Sequence, residues 1–197
     1  MTNITNYTIE QLYQAHLNNP SDINEHLANL RKLAEECDHV TEMGARAGAS
    51  TFALLSAKCN KFVTYDIVIQ EAIISAKIMA NNENINFEYV EKNVLDVEIE
   101  ETDFLFIDTW HKYGQLKEEL RLHAKNVRKY IGFHDTESYE FVDEPGWNGL
   151  YNDVRPLPTE KQGIWPAIQE FLDENPDWKI KHRWKNNNGV TIIERQS

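Results

Sequence analysis

The stretch VTEMGARAGAST, Val40 to Thr51, sets two glycines four positions apart among small residues, directly after a short apolar run and an acid, Glu42. Glycine carries no Cβ and accepts left-handed dihedrals, so a loop of this kind brings backbone close to a ligand or to a neighbouring strand. The stretch reads as a strand end, a tight turn and the start of a helix, with Arg46 as its one bulky interruption. A dinucleotide fingerprint, G-x-G-x-x-G, would need glycines at 46 and 49. Arg46 and Ala49 stand there instead, which disfavours a bound pyrophosphate.

Outward from this loop, short β-like runs alternate with helical stretches. HVTE (39–42), FVTYD (62–66), INFEYV (85–90), DFLFID (103–108) and YIGFHD (130–135) have strand character. Phe52–Lys58, Glu71–Asn81 and Gln115–Lys129 are helical, and the alternation predicts a parallel sheet. Two helices are expected before it. Thr8 with Gln11 and Asp22 with Glu25 have capping-box spacing, each ahead of an apolar stripe: Ile9, Leu12, Tyr13, Leu17, then Ile23, Leu27, Leu30, Ala34. At the other end, a helix over Ile164–Asp173 precedes two strand patterns, Trp178–Trp184 and Val190–Glu194, joined by NNNG as an antiparallel hairpin. In WKIKHRWK the alternation predicts Trp178, Ile180, His182 and Trp184 on a buried face, with a solvated basic face opposite.

The expected fold is α/β: a Rossmann-like doubly wound sheet, mostly parallel, with a C-terminal antiparallel hairpin and two N-terminal helices. It forms a single domain of 197 residues: N-terminal helices in 1–37, a cofactor-binding core in 38–136, a substrate loop in 137–163, and a terminal helix and hairpin in 164–197. The loop holds Pro145, Pro156 and Pro158 with the aromatics Tyr139, Phe141, Trp147 and Tyr151, and is expected to act as a mobile lid or binding wall.

Ligands of a doubly wound sheet bind beyond the carboxyl ends of the strands. Those ends here are Glu42, Asp66, Asp108 and the pair His134–Asp135, with Asn93 and Asp96 after the third strand. Asp66 follows Gly44 by 22 positions, close to the spacing at which an acid takes the ribose hydroxyls of a nucleoside. A G-x-x-x-G turn that rejects pyrophosphate still suits a nucleoside with an amino-acid tail, and the ligand that fits is S-adenosylmethionine.

With these residues the chain resembles the class I S-adenosylmethionine-dependent methyltransferases from roughly Asp38 onward. EMGARAGAS is similar to their first motif, VTYDI to the ribose-binding strand end, and FLFIDTWHKY to the fourth motif. FIDTWHKYGQLKEEL followed by YIGFHDT is most similar to O-methyltransferases that act on sugars and other small hydroxylated metabolites. The resemblance implies Glu42, Gly44, Gly48 and Ser50 near the methionine portion, Asp66 on the ribose, Asn93, Val94 and Leu95 near adenine, and Asp108 at the reaction centre. It also implies Mg²⁺ on Asp108 and Asp135, although His134 stands where that subgroup often has an acid. His111, three residues past Asp108, is the candidate base for the acceptor's proton, with an ordinary imidazole pKa of about 6.5.

Composition narrows the partners. A formal charge of −12 disfavours nucleic acid, and no apolar run approaches the roughly 20 residues that span a membrane. The N-terminus has no secretory pattern, so a soluble, cytoplasmic protein is expected, with a homo-oligomer left open. Cys37 and Cys59 lack metal or redox spacing and read as structural thiols, and His16, His26, His39, His123 and His182 as packing residues. Two other readings stand beside the methyltransferase: an S-adenosylmethionine-binding protein without catalysis, and a nicotinamide-dependent enzyme, against which Arg46 and Ala49 count.

Overall fold

The computed structural model describes residues 7–146 and 156–196. After helices α1 (Ile9–Asn18) and α2 (Leu27–Ala34) comes strand β1 (His39–Met43), then α3 (Ala49–Ser56), β2 (Lys61–Asp66), α4 (Glu71–Asn82), β3 (Phe87–Glu91), β4 (Thr102–Ile107), α5 (Tyr113–His123) and β5 (Val127–His134). Helix α6 (Ile164–Glu174) and strands β6 (Trp178–Trp184) and β7 (Val190–Arg195) complete it. The sheet runs β3-β2-β1-β4-β5-β7-β6, parallel from β3 to β5, with β7 antiparallel to both neighbours. This is the doubly wound sheet with a terminal hairpin that the strand–helix alternation predicts.

Strands β1 and β4 are buried along their whole length, as strands covered on both faces must be. Side-chain alternation divides the core. Val40, Phe62, Phe104 and Phe106 pack under α1 to α4, whereas Leu105, Ile107 and Ile131 pack under α5 and α6. Both cysteines are free, and burial pushes the Cys37 thiol up to about 12 and that of Cys59 up to about 11, which keeps them unreactive. No helix among the described residues is long and apolar enough to cross a membrane.

Four local expectations need correction. The capping box at Thr8 and Gln11 forms, but the one at Asp22 and Glu25 does not. Ser21 and Asn24 cap each other instead, one residue earlier, and a short 3₁₀ turn over Asn24–His26 leads into α2. That shift frees Asp22 and Glu25 to make contacts across the molecule. The helix expected over Gln115–Lys129 stops at His123, because Val127 to Lys129 already belong to β5. In β6 the period of two breaks at a bulge between Ile180 and His182. Ile180, paired with Ile193 before the bulge, is exposed at 46% on this edge strand, and past the bulge Arg183 shares the face of Trp178, lying over the Trp165 ring at 3.6 Å with its guanidinium on Glu137 and Glu140. The basic face is thus largely paired within the protein, Lys181 being held by Glu194 at 2.6 Å.

The loop after β5 is fastened at both described ends. Asp143 Oδ1 accepts the N–H groups of Tyr113 and Gly163, tying the starts of α5 and α6, and Glu144 N–H donates to the His111 carbonyl. Trp147 and Tyr151 lie outside the described residues.

Candidate active site

The strand order reverses between β1 and β4, and it is there that the glycine loop closes. Gly44 has φ 89°, and a Cβ on it would stand 2.0 Å from the Asp108 carbonyl oxygen, so only glycine lets the loop lie against β4. Asp108 N–H in turn donates to Met43 O at 2.8 Å. Gly48, also left-handed at φ 84°, turns the chain into α3.

Glu42 is fully buried beneath this loop. Its carboxylate accepts the hydroxyls of Ser50, Thr51 and Thr64 at 2.6 to 2.7 Å, joining the first turn of α3 to β2. Burial pushes it up to about 7 against those three hydrogen bonds. Glu42 and Ser50, expected near the methionine portion, are therefore bonded to each other under the loop.

Asp66 stands at the end of β2 and is occupied by backbone. Oδ2 accepts Ala45 and Arg46 N–H at 2.9 Å each, and Oδ1 accepts Ile67 N–H at 2.7 Å and Val68 N–H at 3.4 Å. A carboxylate has about four acceptor sites, so a ribose hydroxyl would share or displace one of these donors. Asn93 Oδ1 caps a short turn through Leu95 N–H at 2.9 Å, and Val94 is buried beside it.

The ends of β4 and β5 bring four side chains together. Asp108 Oδ1 lies 3.2 Å from His111 Nε2 and 3.1 Å from His134 Nδ1, while Asp135 Oδ2 lies 3.3 Å and 3.5 Å from the same two nitrogens. His134 is 2% and Asp135 9% exposed in their side chains, against 12% for His111 and 24% for Asp108. The site therefore opens through Asp108 and His111. Tyr139 stacks on the His111 ring with 5.1 Å between centroids and 8° between planes.

Electrostatics here differ from the ordinary values assumed in the sequence. Burial opposes charge on His111, yet Asp108 and Glu144 outweigh it and push the ring up to about 10. Burial likewise opposes charge on His134, and Asp108 with Asp135 raises it to about 9. Asp108 is held well below the usual carboxylate range: the histidines overcome its burial. Burial is also the chief cause that raises Asp135. These neighbours favour the charged form of the His111 ring, whose Nε2 is set between two carboxylates.

Sequence reasoning missed three partners. Glu144, from the poorly patterned loop, sits 3.0 Å from His111 Nδ1, and the Asp22 carbonyl lies 3.1 Å from His134 Nε2. Glu119 of α5 is buried under the site, where it accepts Thr109 Oγ1 at 2.6 Å and Gln115 Nε2 at 2.8 Å. A cavity of about 10 Å³ between Glu119 and the two histidines has room for one water. Only the spacing of Glu119 from Gln115 on one helical face gave any signal. Of the remaining histidines, His39, His123 and His26 bond to backbone carbonyls and His16 stacks on Phe52 as packing residues, whereas His182, expected on the buried face, is exposed on the edge strand β6 and stacks on Trp184.

The donor set bears on the implied Mg²⁺. That ion takes oxygen ligands in a near-octahedral shell, whereas half of the donors here are imidazole nitrogens, so the residues do not fit it.

No protein-family model and no curated protein matches the sequence. Solved structures match almost the whole chain, several methyltransferases among them. The SAH-bound methyltransferase PaMTH1 from Podospora anserina is 16% identical, over 100% of this chain and 89% of that one, with a TM-score of 0.58. The O-methyltransferase from Bacillus cereus in complex with SAH is 18% identical, over 95% and 89%, at 0.59. TomG, the O-methyltransferase from Streptomyces achromogenes in complex with SAM, is 15% identical, over 96% and 89%, at 0.60. The likeness at these identities is one of fold.

Proposed function

We infer that the protein is an S-adenosylmethionine-dependent O-methyltransferase acting on a small hydroxylated acceptor, with sugars as the first class to test. The observation that carries this reading is the convergence of the glycine loop, Asp66, Asp108 and His111 at the β1/β4 reversal of a sheet shared with solved methyltransferases. Asp66 is assigned to the ribose, Gly44, Gly48, Glu42 and Ser50 to building the loop over the methionine portion, and Asn93, Val94 and Leu95 to the adenine side.

Methyl transfer from a sulfonium is an in-line displacement. The acceptor oxygen forms a bond to the methyl carbon as the carbon–sulfur bond breaks, and sulfur leaves as a neutral thioether. The protein's chief task is to align the three atoms and remove the acceptor's proton. Asp108 and His111, the two members of the cluster that reach the surface, are placed to meet the acceptor hydroxyl. Tyr139, stacked on the His111 ring, offers an aromatic wall beside them.

The test is a melting curve with S-adenosylmethionine, its demethylated product, or NAD. A ligand at 100 times its dissociation constant adds about 2.7 kcal/mol of apparent stability. A shift with the first two and none with NAD is expected, followed by turnover in a screen of sugars, nucleotide sugars and phenols. A shift with NAD alone would overturn the reading, and cofactor binding without any turnover would favour the non-catalytic alternative.

A further inference from the structure

Two histidines and two aspartates meet at the ends of β4 and β5 with a hydrogen-bond polarity they cannot satisfy among themselves. Each ring turns one nitrogen outward onto an oxygen that only accepts: His111 Nδ1 onto Glu144 Oε2 at 3.0 Å, and His134 Nε2 onto the Asp22 carbonyl at 3.1 Å. Those outer nitrogens carry the hydrogens. In a neutral ring the inner nitrogens, His111 Nε2 and His134 Nδ1, then present lone pairs, and both face Asp108 Oδ1 and Asp135 Oδ2, which also only accept. Four lone-pair donors aimed at one space repel unless positive charge lies among them. One proton on each ring would supply it, and so would one divalent ion.

The distances separate these two cases. A charge-assisted N–H···O bond settles at about 2.7–2.9 Å, with each ring choosing one oxygen. Here each inner nitrogen is shared between two carboxylates, at 3.2 and 3.3 Å for His111 and 3.1 and 3.5 Å for His134. A tetrahedral ion with ligands at about 2.0–2.1 Å holds its ligand atoms about 3.4 Å apart. All four donor atoms lie within 4.8 Å of one another. A second observation points the same way. Asp135, only 6% exposed, has its other oxygen, Oδ1, buried without a hydrogen bond of good geometry among the described residues, Asn188 being the side chain that comes nearest to supplying one, and a carboxylate that also used this oxygen on an ion would meet that deficit.

We propose that Asp108, His111, His134 and Asp135 bind one divalent transition-metal ion, of the zinc, cobalt, iron, manganese or nickel kind, in preference to Mg²⁺. Imidazole nitrogens favour such ions, and carboxylates complete a mixed shell. Glu144 and the Asp22 carbonyl are then the outer partners that fix each ring's tautomer and orientation. Asp108, the most exposed of the four side chains, marks the side from which an ion would enter. His111 would serve as a ligand, and an ion held there would lower the pKa of an acceptor hydroxyl bound to it. Metal binding rests on the four side chains alone and stands independently of the methyl-transfer reading.

The test uses the full chain, stripped with chelator and titrated with Zn²⁺ and Co²⁺ by calorimetry, with the visible bands of Co²⁺ as a second readout. One ion per chain is expected, undisturbed by millimolar Mg²⁺ and weakened more than roughly 10-fold in His111→Ala and His134→Ala. Circular dichroism checks that each variant folds. Should the buried His134 variant fail to fold, Asp108→Asn, at the more exposed side, provides the same comparison. Absence of saturable binding, equal binding in every folded variant, or displacement by Mg²⁺ at matching concentration would overturn the proposal. The cofactor-dependent melting shift, measured on the stripped chain, separates this failure from that of the methyltransferase reading.

Discussion

His134 Nε2 lies 3.1 Å from the carbonyl oxygen of Asp22, 112 residues earlier in the chain. The same residue's carboxylate reaches Arg46 of the glycine loop at 3.5 Å. The segment from Ser21 to His26 is held in that position by the hairpin turn: Asn187 donates to the Ser21 carbonyl at 2.6 Å and accepts Glu25 N–H, and His26 Nε2 meets the Asn186 carbonyl at 2.8 Å. The N-terminal helices thus back both the glycine loop and the His–Asp cluster.

Glu144 is the corresponding partner of His111, and Glu144→Ala removes it without touching the inner four atoms. Loss of such an outer hydrogen bond typically lowers metal affinity by about 10–100-fold. Calorimetry with Zn²⁺ on the folded variant should show a drop in that range. An unchanged affinity would mean that Glu144 only packs against the ring.

Asp66→Ala should weaken S-adenosylmethionine binding and also lower the melting temperature of the free protein. The second effect follows from the N–H groups of Ala45, Arg46 and Ile67 that its carboxylate holds. Charged hydrogen bonds of this kind are worth roughly 1.5–3 kcal/mol. Melting curves with and without cofactor separate the two effects, and a variant as stable as the parent would show that the loop does not depend on Asp66.

Gly44→Ala should be severely destabilising. The residue has φ 89°, and its new Cβ would meet the Asp108 carbonyl at 2.0 Å. Backbone strain alone costs about 1–3 kcal/mol, and each kcal/mol moves the melting temperature of a domain this size by roughly 2–4 °C. A variant within a degree of the parent would mean that the loop does not close on β4 as described.

Glu42→Gln should flatten the pH dependence of stability. Burial raises Glu42 from 4.5 to about 7 in the folded chain, so between those values the folded state binds more protons than the unfolded one. Stability therefore falls as pH rises through that window and levels off above about 7. At about 1.36 kcal/mol per unit the loss approaches roughly 3 kcal/mol. Glu119, also raised to about 7 by burial, adds a second contribution of the same sign. Urea unfolding from pH 5 to 8 should show the slope in the parent and a shallower one in the variant.

The sheet, the glycine loop and the acids at the strand ends follow from local patterns in the chain. These features are local: period-two apolar runs, a G-x-x-x-G turn and the residue that ends each strand are visible within a few positions. Where the reading failed, a nonlocal force had decided. The bulge in β6 answers to pairing with β7 and to the stacking of Arg183 on Trp165, and the Ser21 cap to docking on the hairpin turn. His111 and His134 read as a candidate base and a strand-end residue because their spacing does not show what stands behind them. Only the tertiary structure placed Glu144 and the Asp22 carbonyl on their outer nitrogens and turned both inner nitrogens onto Asp108 and Asp135. The donor set of a site is a property of side chains converging from distant positions. Its charge and ligand preference follow from burial and hydrogen-bond polarity, which a linear pattern does not contain.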